Sequence, residues 1–437
     1  MAIQAAEIID TVAARDNLRS RVLAQGFHKD GRYPHSIRAG EVVKPPKRGI
    51  GGGPETGIGY NSLEMMAGDS TKLEIWTANL DQTLESVPER PAVLLVWPRE
   101  GAPYLARTNV LRRRLKRLLG ERGAPTRFLN LRAVARQVEY WLTGSRLESS
   151  LLFYELAVRH FPETYPKLLM LWLPHYFKVI LSNPFPRTQV TARLGGGRSL
   201  YFGPFRTRAS AEQFASQALD LFQVRRCQED LDPSPGHPGC IYGEMNLCLR
   251  PCQQAVGAGE YASEIQRLVR FLASDGRSLE EPLAASRDRL SEELDFEAAA
   301  RQHKQLEKVQ QVLRLRDDLV REAGSLCGVA VTASVAAGAV ELCFVLGGGW
   351  QAPVRFGFEA VEGKTVSLDH RLREVVAGLN PRKLPARERQ EHLALLARWY
   401  YSSWRDGEWL PFNGLESVPY RKLVRAISRV AAPALES

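Results

Sequence analysis

The chain has 437 residues, 44% of them hydrophobic, and 59 Lys and Arg stand against 49 Asp and Glu for a formal net charge of +10. That size calls for two to four units with real cores, and an arginine-rich excess suits a polyanion such as nucleic acid. No apolar run is long enough to span a bilayer, and Glu7 and Asp10 sit where a signal peptide needs an apolar core, so a cytoplasmic, reduced protein is expected.

Residues 1–73 read as a flexible lead-in, because "EVVKPPKRGIGGGPETGIGYNS" is rich in Pro and Gly and has no periodicity. Residues 74–168 read as a small α/β unit. "PAVLLVWP" is its first strand signal, a turn at Arg99-Glu100-Gly101 leads to the short strand "PYLA", and "NVLRRRLKRLLG" has helical spacing of Val110, Leu111, Leu115, Leu118 and Leu119 with Gly120 as a stop. "VARQVEYWL" follows as a strand and "RLESSLLFYELAVRHF" as a helix ended by Pro162.

Residues 169–226 read as an α/β connector with strands at "HYFKVILS", "QVTARLG" and "SLYFGPF" and a helix at "RASAEQFASQALDLF". A cysteine segment occupies 227–257, and 258–325 is helical, with a break near Asp295–Phe296. Residues 326–437 carry three antiparallel strands joined by glycine-containing turns, then helices from about 385 to 405 and from 418 to 431. Asp369 and His370 in "SLDHRLRE" read as a helix-start pair. The fold class is therefore α+β and multidomain.

Four of the six cysteines, Cys227, Cys240, Cys248 and Cys252, fall in one stretch with the spacing C-x12-C-x7-C-x3-C. The intervening "EDLDPSPGHPG" is too polar and turn-rich for a core, so the thiols read as metal ligands. Four thiolates satisfy either a tetrahedral zinc or an iron–sulfur cluster, and spacing alone puts zinc first. His237 reads as a loop histidine. Cys327 and Cys343 sit singly in apolar runs.

"SLYFGPF", the helix after it, "LFQVRRC" and "C-IYGEMNLCLRPC" resemble the cysteine region of the UvrC family, nuclease subunits of bacterial nucleotide excision repair. The resemblance covers about 75–360 and is strongest over 197–310. It implies a four-iron–four-sulfur cluster on Cys227, Cys240, Cys248 and Cys252, with zinc as runner-up and a structural or redox-sensitive role. "LDFEAAA" and the helix after it are similar to the UVR motif, which docks onto a matching hairpin of the helicase UvrB. Leu294, Phe296, Glu297 and Ala299 are then the partner-binding residues, with Leu294, Phe296 and Ala299 along one apolar seam.

The resemblance also implies a GIY-YIG nuclease unit, whose chemistry needs a divalent metal to polarise phosphate and a base or phenol to activate water. "GIGY" at Gly57–Tyr60 is a decoy, too far from any partner strand; the matching segment is "AVLLVWPREGAPYLARTNVLRRRLKRLL". Leu94 then takes the place of the first tyrosine, Tyr104 keeps the second, and Ala106 replaces the glycine. Arg107 falls on the usual lysine, Arg114 on the catalytic arginine and Leu118 where a further tyrosine often sits. With Glu148 and Pro162 as anchors, Phe153 falls on the metal-binding glutamate; Glu155 faces roughly 200° away. Only a shifted register would bring it into place.

The expectation is a degenerate site in which Tyr104, Arg107 and Arg114 remain. Arg112, Arg113, Arg114, Lys116 and Arg117, with Arg122, Arg127, Arg132 and Arg136 nearby, keep a surface for the nucleic-acid backbone. The chain is expected to stop before the family's RNase H-like and helix–hairpin–helix domains. The implied function is a UvrC-like repair protein that binds DNA and a UvrB-like helicase, with magnesium or manganese needed only if the nuclease site is active. The alternatives are an active single-incision endonuclease and a zinc-bearing adaptor without a DNA role.

Overall fold

The computed structural model describes residues 70–75, 80–121, 129–357 and 367–431; Arg122, Arg127, the Gly57–Tyr60 decoy and nearly all of the 1–73 lead-in lie outside them. Strands β1 (Thr71–Glu74), β2 (Ala92–Pro98), β3 (Tyr104–Thr108) and β4 (Ala135–Leu142) form an antiparallel sheet in the order β1-β4-β2-β3. β2 is apolar along almost its whole length because both faces are covered. Ala92, Leu94 and Val96 pack with Leu111 and Leu115 of the Leu111–Leu119 helix, while Val93 and Leu95 pack with Leu147 and Leu151 of the Arg146–His160 helix. β1 straddles the expected boundary at residue 73: its ladder to β4 makes Thr71–Glu74 part of the first sheet.

β5 (His175–Ile180), β6 (Arg187–Thr191), β7 (Ser199–Phe205) and β8 (Arg321–Glu322) build a second antiparallel sheet, in the order β6-β5-β7-β8. Phe177 and Phe202 of this sheet share a core with Phe214 of the Arg208–Leu219 helix, with Tyr261 and Phe271 of the Ala258–Ala273 helix, and with Val309. The expected boundaries between connector, cysteine segment and helical region therefore do not separate units. One core runs beneath all three, and β8 returns to β7 after the helices.

β9 (Cys327–Ala333), β10 (Ala339–Leu346), β11 (Gly349–Trp350), β12 (Val354–Gly357) and β13 (Gly407–Phe412) form the third sheet. The Ala386–Tyr400 helix ends before the expected residue 405, and β13 follows it, antiparallel to β9. The Ser367 side chain caps the Leu368–Ala377 helix by accepting from the His370 N–H at 3.2 Å, which agrees with a helix start at Asp369–His370. No described helix is long and apolar enough to cross a membrane.

The first and third units share one apolar cluster, in which Leu151, Phe153 and Tyr154 meet Leu393, Leu396 and Trp399. Polar contacts join them as well. Tyr154 and Tyr165 both donate to Glu391, at 2.9 and 3.0 Å, and Asp406 accepts from the Arg146 backbone and from Trp399 Nε1. Gly144 lies so close to the Ala333–Val335 backbone that a Cβ would fall 2.4 Å from the Ser334 carbonyl carbon.

Candidate functional site

The unit built on the first sheet presents Tyr104, Arg107 and Arg114 on two different faces. Tyr104 and Ala106 point toward the Leu111–Leu119 helix, where Arg114 donates a short hydrogen bond to the Tyr104 hydroxyl and lies over its ring. Leu94, where the resemblance calls for a tyrosine, is fully buried on that same face. The apolar recess beside Tyr104, lined by residues including Val96, Pro98, Leu131 and Val134, has no carboxylate among the described residues of its wall.

Arg107 is displaced by the alternation of β3 and points to the opposite face. There its guanidinium lies 5.6 Å from the Phe153 ring centroid and donates to Ser150 Oγ at 3.2 Å. Phe153 itself is buried in the cluster shared with the tail. Tyr104 with Arg114, and Arg107 with Phe153, are thus two pairs and not one four-residue site.

Both glutamates of the Arg146–His160 helix are engaged within the protein. Glu155 is 2% exposed and accepts from Arg159 at 2.9 Å, one turn further along its helix. Glu148 turns back to accept the Gly144 N–H at 2.6 Å, close to Glu341 of the tail. Burial pushes the Glu148 carboxyl up to about 7, against the pull of the Gly144 hydrogen bond.

The basic helix is less open than its sequence suggests. Arg112 pairs with Glu89 at 3.0 Å and donates to the Val87 carbonyl at 2.6 Å, and Lys116 pairs with Glu85. Arg132 binds both Asp81 oxygens, at 3.0 and 3.1 Å, which holds that carboxyl below the usual range. Arg113 and Arg117 are exposed.

The cysteines fall on a loop cluster beneath the second sheet. Cys248 and Cys252 are buried, Cys227 is half-buried and Cys240 exposed. Burial, and then the proximity of Cys227, Cys240 and Cys252, push the Cys248 thiol up to about 11. Among the described residues, however, no group of three or more His, Cys, Asp or Glu is arranged as a metal-holding set. Sulfur donors of this kind are the chemistry that a zinc or iron–sulfur centre takes. Two N–H donors also point at sulfur: Arg225 Nη1 at Cys227 and the Arg250 backbone at Cys248, each at 3.4 Å. His237 uses Nδ1 to accept the Gly239 N–H at 3.0 Å, consistent with a loop histidine.

The helical pair that follows consists of Arg277–Glu292 and Phe296–Arg314, joined by a turn in which Leu294 has φ 61° and Asp295 caps the second helix through the Ala298 N–H. Leu294 and Phe296 are 72% and 65% exposed at the tip, and Glu297 is exposed beside them. Ala299 differs from these tip residues in being buried.

Residues 175–271, which contain β5, β6 and β7 of the second sheet and all four clustered cysteines, match the family model of the UvrC/Cho excinuclease middle domain. The chain is similar to UvrC proteins well beyond that stretch. It is 24% identical over 292 residues to the UvrABC system protein C of Lachnospira eligens, covering 66% of this chain and 48% of the relative. With the same protein of Moorella thermoacetica it shares 26% over 325 residues, covering 74% and 49%, and with that of Caldanaerobacter subterraneus 26% over 238 residues, covering 54% and 38%. This UvrC-like chain therefore spans about half the length, or less, of these curated relatives. No solved structure matches it. The family match includes the cysteines and stops short of both the nuclease-like unit and the hairpin tip.

Proposed function

We propose that this chain is a nucleotide excision repair protein of the UvrC type that binds DNA and a UvrB-like helicase without hydrolysing phosphodiester bonds through its nuclease-like unit. The observation that carries the reading is Phe153. At the position where the resemblance puts the metal-binding carboxylate, the chain has an apolar ring, buried in a cluster shared with the tail and on the face away from Tyr104 and Arg114. Without a carboxylate there, nothing at that position holds the Lewis acid the reaction needs. The exposed Leu294 and Phe296 support docking of a partner hairpin at the tip. Cys227, Cys240, Cys248 and Cys252 would hold a four-iron–four-sulfur cluster, which supplies cross-linking of the loop and no hydrolytic chemistry.

The test is incubation of the full chain with damaged or nicked duplex and Mg²⁺ or Mn²⁺. Binding without cleavage is the expected result. Metal-dependent cutting lost in Arg114→Ala would instead establish the single-incision alternative, which the retained Tyr104–Arg114 pair favours. Iron and acid-labile sulfide measured after anaerobic purification are expected in equal amounts; a colourless zinc protein would overturn the cluster.

A further inference from the structure

The segment Leu80–Glu89 aligns three carboxylates, each four residues from the next, with three cations of the nuclease-like unit. Asp81 meets Arg132, Glu85 meets Lys116 and Glu89 meets Arg112. We propose that Asp81, Glu85 and Glu89 act as a built-in competitor for nucleic-acid phosphates, so that the basic helix binds DNA more weakly, and with fewer phosphate contacts, than its sequence would allow. This inference rests on the DNA-binding reading given above.

Two features distinguish this arrangement from incidental surface pairing. The first is that its backbone is fixed. Leu80, Leu84 and Val87 are buried in the core that also holds Leu111 and Leu115, and Arg112 ties the Val87 carbonyl to the basic helix. Lifting the segment away would expose three apolar side chains, so it stays docked when a ligand arrives. The second is that the carboxylates themselves are open: Glu85 and Glu89 are more than 60% exposed and Asp81 is 56% exposed. Exposed ion pairs are weak, and a phosphate can take over the cation while the carboxylate side chain swings into water. The displaced carboxylates remain nearby and repel the incoming backbone. The segment therefore lowers affinity and cannot abolish it. Arg113 and Arg117, exposed on the same helix, are the first cations a duplex would meet.

The experiment measures binding of the full chain to a duplex of mixed sequence across a salt series. Asp81→Asn/Glu85→Gln/Glu89→Gln is expected to bind on the order of tenfold more tightly than the unaltered chain at low salt. Its log Kd against log salt should steepen by up to about 2.7, from three more neutralised phosphates at about 0.9 each. Asp369→Asn/Glu374→Gln/Glu416→Gln changes net charge equally in the tail and should leave both quantities near the starting values. Adding Arg112→Gln/Lys116→Gln to the first variant should remove most of its gain. Equal gains in the two triple variants would overturn the proposal while leaving DNA binding intact. Absence of duplex binding by every form, at low salt and with a normal thermal transition, would overturn the DNA reading and this proposal together.

Discussion

Glu148 and His392 lie on opposite sides of the contact between the nuclease-like unit and the tail, and each is buried in the form that carries no charge. Burial raises the Glu148 carboxyl to about 7, so the folded chain retains a proton that the unfolded chain releases above about 4.5. Stability from this group is present at low pH and declines as pH rises through 7. His392, whose Nδ1 accepts the Trp350 N–H at 3.1 Å, is pushed down to about 3 by burial. Below about 6.5 the unfolded chain gains a proton there and the folded chain does not, so stability from His392 falls on acidification. Between about pH 5 and 6 the two linkages nearly cancel. Glu148→Gln keeps an acceptor for Gly144 and leaves the histidine linkage unopposed. Its unfolding free energy should fall by roughly 1 kcal/mol per pH unit below 6.5, more steeply than in the unaltered chain, in urea melts taken at each pH. Phe153→Glu is a second residue-level case. It removes a ring from a packed cluster and should cost about 3–5 kcal/mol, while duplex-cleavage assays should still show no metal-dependent cutting, because Tyr104 and Arg114 face away.

At the scale of elements, the tip of the helical hairpin is exposed, so it can be altered without disturbing a packed core. Phe296→Ala removes an exposed ring and should leave the thermal midpoint nearly unchanged while abolishing capture of a UvrB-type hairpin in a pull-down. Leu294 occupies a left-handed backbone position that a branched side chain adopts only at a cost. Leu294→Gly should stabilise the chain by about 1 kcal/mol and still weaken capture, an opposite pairing of effects that a purely structural turn residue would not produce. The hairpin was legible in the sequence because its signals are local: periodicity, and the Asp295 cap before "FEAAA". β13 was not. "GEWLPF" contains Pro411, which argues against a strand, but among the described residues β13 pairs with β9 alone, at the edge of the sheet, where a residue without an N–H is tolerated. β1 and the Leu80–Ser86 helix are too short to show a period, and what holds them is the apolar contact of Ile75, Leu80 and Leu84 with distant residues. The family resemblance assigned roles to the positions of Tyr104, Arg107, Arg114 and Phe153. It could not show that alternation along β3 and the rotation of the Arg146–His160 helix send them to different faces.

For the molecule as a whole, the nuclease-like unit and the tail behave as one packed body, not as beads on a linker. Glu391 is the keystone, since it accepts from Tyr154 and Tyr165 together and is 12% exposed. Glu391→Ala leaves two tyrosine hydroxyls without their acceptor and should lower stability by about 2–4 kcal/mol. It should also make the region around residue 144 the first site cut in limited proteolysis. Calorimetry of the unaltered chain should show these two units melting together, and the variant should resolve them.

The Arg277–Glu292 helix has no buried residue, and the helix beside it is anchored by Val309 and Val312 near its far end. Sixteen residues of α-helix extend roughly 24 Å. A protein seated on Leu294 and Phe296 would thus be held on a stiff arm, away from the middle core that anchors it. Two weak grips on one complex, one at the arm's end and one on the phosphate-facing helix, would then multiply through local concentration instead of competing for space. Shortening the arm by whole turns would change avidity for a helicase–DNA assembly while leaving the affinity of each separate grip untouched.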